Sequence, residues 1–206
     1  VITYTVSVNN PVTGSDLVVK LANGQTVTIE VGKSSGTAEY TVPNSIYATK
    51  PDVSNGITEI SGGNYEKIVG EGKPVTTVTQ GPGTEDTTEL KLTATGEVAE
   101  GGKITYTATL SNPAGSDVTI KLSNGETITI AKGQTESSIS IDAPADDVYI
   151  DAEKLSVTVD KVDGGDFEKL EVNPNPAETQ VTDTIDTSTV TLTASSNSVA
   201  EGGTIT

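Results

Sequence analysis

The sequence predicts an all-β chain of tandem antiparallel seven-stranded β-sandwiches set end to end. Three observations predict it. Apolar and polar residues alternate with a period of two, no stretch carries a helical period, and the sequence repeats itself every 101 residues. That period is far too long for a β-solenoid coil and is the size of one sandwich domain of about 100 residues.

Four phrases carry the repeat. ITYTVSVNNP (2–11) returns as ITYTATLSNP (104–113), and ANGQTVTI (22–29) returns as SNGETITI (123–130). GGNYEK (62–67) returns as GGDFEK (164–169), and VAEGGKIT (98–105) as VAEGGTIT (199–206). The organisation expected is a first repeat over 1–86, lacking its own first strand, and a second over 87–187. Residues 188–206 are then the first strand of a third repeat.

Within the second copy, alternation and turn residues mark seven strands: A, about 89–95; B, 104–110; C, 117–122; D, 126–131; E, 136–142; F, 154–162; and G, 178–183. Strand B sets Ile104, Tyr106, Ala108 and Leu110 on one face and Thr105, Thr107 and Thr109 on the other. Val118, Ile120 and Leu122 alternate in C, and Leu155, Val157 and Val159 in F. Asn124-Gly125 is a two-residue hairpin signal between C and D. The outward threonines are read as the solvated faces of strands rather than as an ice- or sugar-binding array.

Composition narrows the chemistry. Acidic residues number 29 against 12 lysines, a formal charge of −17. Such a surface repels nucleic acid and anionic lipid and attracts cations. No apolar run approaches the ~18 residues of a membrane span, and no signal-peptide pattern opens the chain. The chain has no His, Cys, Met or Trp. It therefore has no imidazole base, no thiolate nucleophile and no zinc site of the usual nitrogen and sulfur kind. Oxygen ligands remain, and these suit hard cations, chiefly calcium.

The acids are not spread evenly. APADDVYIDAE (143–153) packs four carboxylates where strand E stops and F begins. If successive strands are antiparallel, A, C, E and G all finish at one pole of the sandwich. Glu100 follows A, Asp146 and Asp147 follow E, Asp151 leads into F, and Asp183 and Asp186 end G. Six carboxylates thus converge on one end. Left uncompensated, they repel one another and some must take up protons. Bound Ca2+ relieves the crowding, so these six are the expected metal ligands. A pair of catalytic carboxylates for glycoside hydrolysis is the competing reading. With 3% aromatic residues there is no sugar platform, and no enzyme activity is expected.

The run from ETITIAKGQTESSISIDAPADDVY to TQVTDTID resembles the Calx-beta type of Ig-like calcium-binding sandwich. In that family a Glu-Gly pair follows the first strand, an acidic cluster follows the fifth, and acids end the last. Glu100-Gly101, then Asp146, Asp147 and Asp151, then Asp183 and Asp186 match those places. The family's acidic contribution between C and D has no counterpart near Asn124-Gly125. With VAEGGKIT, ITYTATLSNP, NPAGSDVTI and TQVTDTIDT, the repeat resembles the tandem repeats of large RTX-type biofilm adhesins. That resemblance implies a secreted bacterial cell-surface chain whose calcium-stiffened repeats project a binding region. The alternative is a calcium-dependent glycan- or protein-binding module.

The first copy departs at its pole. Asn44, Ser45 and Thr49 stand opposite Asp146, Asp147 and Asp151, and Gln80 stands opposite Asp183. Weak or no calcium binding is expected there, with a looser joint through Gly81, Pro82 and Gly83. The expected partners are neighbouring repeats of the same chain. Head-to-tail strand exchange is a further expectation, with 189–206 of one molecule filling the open strand slot of the next. Neither nucleic-acid binding nor membrane insertion is expected.

Overall fold

A computed structural model of the chain describes residues 1–81 and 85–205, and every regular element among them is a β-strand. Contacts divide the chain into two compact units. Unit 1 is Val1–Glu89 with Gly165–Glu171, and unit 2 is Leu90–Gly164 with the residues from Val172 onward. The linker residues Pro82 and Gly83, on which the looser joint was expected, lie outside the described residues.

Unit 1 opens with β1 (Ile2–Ser7), β2 (Leu17–Leu21), β3 (Thr26–Ile29) and β4 (Ser35–Tyr40). It continues with β5 (Val53–Ser54), β6 (Ile57–Gly62) and β7 (Val75–Thr76). The sheets are β1-β4, β3-β2-β6 and β5-β7. Period-two alternation turns Leu17, Val19 and Leu21 of β2 and Val27 and Ile29 of β3 inward, where they pack with Tyr4 and Val12. Among the described residues β1 has one strand neighbour, β4. A cavity of about 920 Å³ lies in this unit, lined by Tyr4, Val6, Leu17, Val19, Ile57 and Tyr65 among others.

β8 (Thr87–Ala94) passes from unit 1 into unit 2 at Leu90, and unit 2 follows with β9 (Glu97–Ala99), β10 (Lys103–Leu110), β11 (Val118–Leu122) and β12 (Thr127–Ile130). Then come β13 (Glu136–Asp142), β14 (Lys154–Val157), β15 (Val159–Gly164), β16 (Lys169–Val172), whose residues up to Glu171 belong to unit 1, and β17 (Ala177–Thr182). The sheets run β13-β10-β8-β16, β12-β11-β15 and β14-β17-β9. Leu90 and Leu92 of β8 and Ile104, Tyr106, Ala108 and Leu110 of β10 are buried, as are Val118, Ile120 and Leu122 of β11 and Ile128 and Ile130 of β12. The threonines of β10 face the other way. Thr105 Oγ1 hydrogen-bonds Ser140 Oγ at 2.7 Å across to β13, as hydroxyl pairs do on the open face of a sheet.

Three details differ from the expected strand pattern. Strand F is two strands, β14 and β15, separated at Thr158. Thr158 N donates to Ser123 Oγ at 3.1 Å and Thr158 O accepts from Ser123 N at 2.9 Å. That double tie hands the chain from pairing with β17 to pairing with β11. A bulge follows, since Lys121 faces Lys161 while Leu122 faces Val159. The Asn124-Gly125 hairpin has three loop residues rather than two. Leu122 N bonds Glu126 O at 2.8 Å, Gly125 N bonds Leu122 O at 2.9 Å, and Gly125 adopts a φ of 91°. The short strands β9 and β16 carry too little alternation to stand out in the sequence.

Burial should separate the two faces of β11. Ile120→Ala is expected to cost about 2–5 kcal/mol, because it empties a fully buried site. Thr119→Ala, on the exposed face of the same strand, should stay within about 0.5 kcal/mol. Urea unfolding of the two variants checks this, and equal losses would contradict the assigned facing.

Candidate metal centre

The geometry of the acidic pole follows from the sheet β14-β17-β9. β9 runs parallel to β17, with Gln180 beside Glu97, Val181 beside Val98 and Thr182 beside Ala99. One step further along both strands sets Glu100 beside Asp183, and Glu100 N donates to Thr182 O at 3.0 Å. On the other side β14 runs antiparallel to β17, with Lys154 opposite Gln180. Three residues back from Lys154 and three on from Gln180 bring Asp151 to Asp183. Val181 N, donating to Glu153 O at 2.8 Å, extends that pairing beyond the strand. Sheet register alone therefore assembles residues 100, 151 and 183.

A tight turn fixes the Glu100 backbone. Gly102 N donates to Ala99 O at 3.0 Å, and Gly101 holds a φ of 69°, a conformation glycine adopts without penalty. The same turn forms over Ala200–Gly203, with Gly203 N on Ala200 O at 2.9 Å. The local sequence Val-Ala-Glu-Gly-Gly thus folds alike in both places.

One carboxylate oxygen from each of Glu100, Asp151 and Asp183 lies within 4.8 Å of the other two. Glu100 is 8% exposed, and Glu100 Oε2 and Asp183 Oδ1 are buried without a hydrogen-bond partner. The lysines nearest in sequence are engaged elsewhere: Lys103 pairs with Asp142 and Lys154 with Glu178. In the metal-free chain the Glu100 carboxyl is pushed up to about 7. Its shared hydrogen bond with Asp151 contributes most, followed by burial and repulsion from Asp151 and Asp183, against a stabilising Thr184 N–H. The unpartnered Glu100 Oε2 and Asp183 Oδ1, beside the exposed Asp151, form an anionic cradle, and an all-oxygen set of this kind fits a hard cation.

The remaining predicted residues stand differently. Asp146 borders the cluster: its carboxylate accepts from Thr184 Oγ1, and Gly101 N donates to the neighbouring Pro144 O at 2.7 Å. Asp147 turns away and accepts from Tyr149 N at 2.7 Å, an Asx turn at the surface. Asp147 and Asp186 do not join the three-carboxylate group. Thr184 is the residue that sequence reasoning missed. It bonds both Asp146 and Glu100, and its place between Asp183 and Asp186 is the signal that marks it.

The fold and the site define an all-β, strongly acidic module with a three-carboxylate cluster. The chain belongs to the LapA domain family, whose model matches residues 1–81 and again 86–184. LapA is a large biofilm-adhesin-related family, which ties the chain to adhesion and to the cell surface. Comparison with curated proteins gives no match.

The raised Glu100 value has a definite sign. A carboxyl whose folded pKa lies above its ordinary 4.5 stabilises the fold while protonated and withdraws that contribution as pH rises through about 7. In chelator, wild type should therefore lose stability between pH 4.5 and about 7 relative to Glu100→Gln, which keeps a neutral group throughout. Thermal unfolding of both across that window checks it. Parallel pH profiles would remove Glu100 as the titrating group.

Proposed function

We propose that the chain is a pair of calcium-stabilised extender repeats from a secreted bacterial adhesin. The repeats are read as seven-stranded, Ig-like sandwiches of the Calx-beta kind, in an RTX-type parent chain, and their role is mechanical rather than catalytic. The observation that carries this is the trio Glu100, Asp151 and Asp183, in which Glu100 Oε2 and Asp183 Oδ1 are buried without a protein donor. Membership in an adhesin-related family supports the setting.

Glu100, Asp151 and Asp183 would hold Ca2+, with Asp146 at the margin. The bound ion supplies the positive charge that this corner lacks. Glu100 lies on the turn after β9, Asp151 on the loop before β14, and Asp183 on the stretch leaving β17. Satisfying the three together ties two strand ends and a loop to the outgoing chain. A site filled to 100 times its dissociation constant adds about 2.7 kcal/mol, comparable to a disulfide in a chain without cysteine. An array of such repeats stiffens in calcium and loosens without it. The first repeat has Asn44, Ser45, Thr49 and Gln80 at the matching places and is read as the weaker site.

Neighbouring repeats are the proposed partners. Val190 and Leu192 are each 96% exposed, whereas Leu90 and Leu92, their counterparts in β8, are buried. Such a strand is apolar enough to fill an open slot on another copy. A second reading, a calcium-dependent glycan- or protein-binding module, is favoured by the exposed loop Val148–Ile150. Calcium-dependent signal on a glycan array would support that reading over the first.

Calorimetric titration with calcium tests the proposal. Binding should disappear in Asp151→Asn and in Glu100→Gln, while Asp147→Asn keeps most of it. Calcium should also raise the melting temperature of wild type and not of Asp151→Asn. No heat and no thermal shift at millimolar calcium would reject the proposal.

A further inference from the structure

Unit 1 contains a fastening that owes nothing to a metal. The segment Gly165–Lys169 lies on the loop Ser45–Lys50, although the two are more than 100 residues apart in sequence. Ala48 N donates to Asp166 O at 2.8 Å and Glu168 N to Ile46 O at 3.0 Å, making an antiparallel bridge of Tyr47 with Phe167. The two rings stack with centroids 6.5 Å apart. Thr49 donates through both N and Oγ1 to the Asp166 carboxylate, at 3.0 and 2.7 Å. The Lys50 ammonium meets Glu168 Oε1 with side chains 10% and 2% exposed, and Asp86 N donates to Glu168 Oε2 at 2.6 Å. Those two donors hold the Glu168 carboxyl below its ordinary range. This is a built receptor for a loop reading Gly-Gly-Asp-Phe-Glu-Lys.

Both halves of the fastening recur in the other repeat. Leu17 faces Gly62 as Val118 faces Gly164, so Asn64, Tyr65 and Glu66 match Asp166, Phe167 and Glu168. Val53 faces Thr76 as Leu155 faces Thr179, so Ile46, Tyr47 and Ala48 match Val148, Tyr149 and Ile150. In unit 1 Ile46 and Tyr47 of the receptor loop are half-buried, while Ala48 and Thr49 stay exposed. In unit 2 its counterpart stands open, with Tyr149 71% and Ile150 93% exposed. The anchoring loop of the first repeat leaves Glu66 exposed, and Tyr65 lies half-buried with its hydroxyl on Asn10 O at 2.8 Å.

We propose that Val148–Ile150 is a docking surface for the Gly-Gly-Asx-aromatic-Glu-Lys loop of another repeat, of which residues 62–67 of a second copy of this chain are an instance. The polar partners are exchanged in a complementary way. Thr49, a donor, holds the Asp166 carboxylate in unit 1, while its match in unit 2 is Asp151, an acceptor, facing Asn64, which can donate. Asp151 also belongs to the carboxylate trio, so Ca2+ there would compete for its oxygen, whereas the backbone bridge and the ring contact involve no residue of that trio.

The absence of cysteine makes a clean test. Ile150→Cys in one chain and Asn64→Cys in another place thiols at the positions matching the Ala48–Asp166 contact. In an oxidising glutathione buffer their mixed disulfide should form about tenfold faster than that of Ile150→Cys with the exposed control Val31→Cys, because docking raises the local concentration. Tyr149→Ser should remove that advantage. Ala48→Cys with Asp166→Cys in a single chain should close internally and verifies the template. Equal rates for the Asn64 and Val31 partners, or an advantage untouched by Tyr149→Ser, would overturn the proposal. So would failure of the internal bridge to close. Running each mixture in calcium and in chelator separates this outcome from that of the metal site.

Discussion

The constraint on which the rest turns is an excess of negative charge with few cations to meet it. Twenty-nine acids share twelve lysines, and the parallel pairing of β9 with β17 drives Glu100 against Asp183 at the edge of a buried corner. There the Glu100 carboxyl is pushed up, first by its shared hydrogen bond with Asp151, then by burial and by repulsion from Asp151 and Asp183. Nothing in the sheet relieves it. The strands that bury Val157, Ala177 and Val181 also fix where these acids must sit, so the core and the charge conflict come from one register.

The two units meet the same excess of acids with different residues. In unit 1 the ammonium of Lys50 enters the loop and is wrapped by the Ser45 and Tyr47 carbonyls and the Glu168 carboxylate. A lysine carries its charge with it, so that fastening is present in any medium. In unit 2 the matching loop carries Asp147 and Asp151 and no lysine, and on the proposed reading bound Ca2+ supplies the positive charge. On that reading the chain holds an internal contrast, one pole constitutive and the other responsive to the surroundings. A buried ion pair is not by itself a large source of stability, because both charges give up their water. Its value at Lys50 lies in specifying which loop is held.

Much of this was legible in the residues. The alternation in β10, β11 and β12 is so regular that their inward faces could be named residue by residue, since one buried face leaves no freedom of register. Glu100, Asp151 and Asp183 were legible too, because antiparallel order brings strand ends to one pole. What the sequence could not show was which acids on that pole share a site. Asp147 sits beside Asp146 in the chain, yet an Asx turn to Tyr149 N removes it from the group, and such a local hydrogen bond leaves no mark in composition. The split of strand F at Thr158 was hidden for a similar reason: its alternation continues through the break, while the pairing partner changes. The Gly165–Lys169 segment was seen only as a repeated phrase, since its contacts lie with residues remote in the chain.

The Lys50–Glu168 tie spans 118 residues, more than the 101-residue period of the sequence. A contact longer than the repeat cannot be contained in one copy, wherever the copy is taken to start. A gene that gained or lost whole periods would gain or lose one receptor loop and one anchoring loop each time and keep their numbers in step. A deletion of half a period would strand one of them, so the reading frame of such an array is counted in periods as well as in codons.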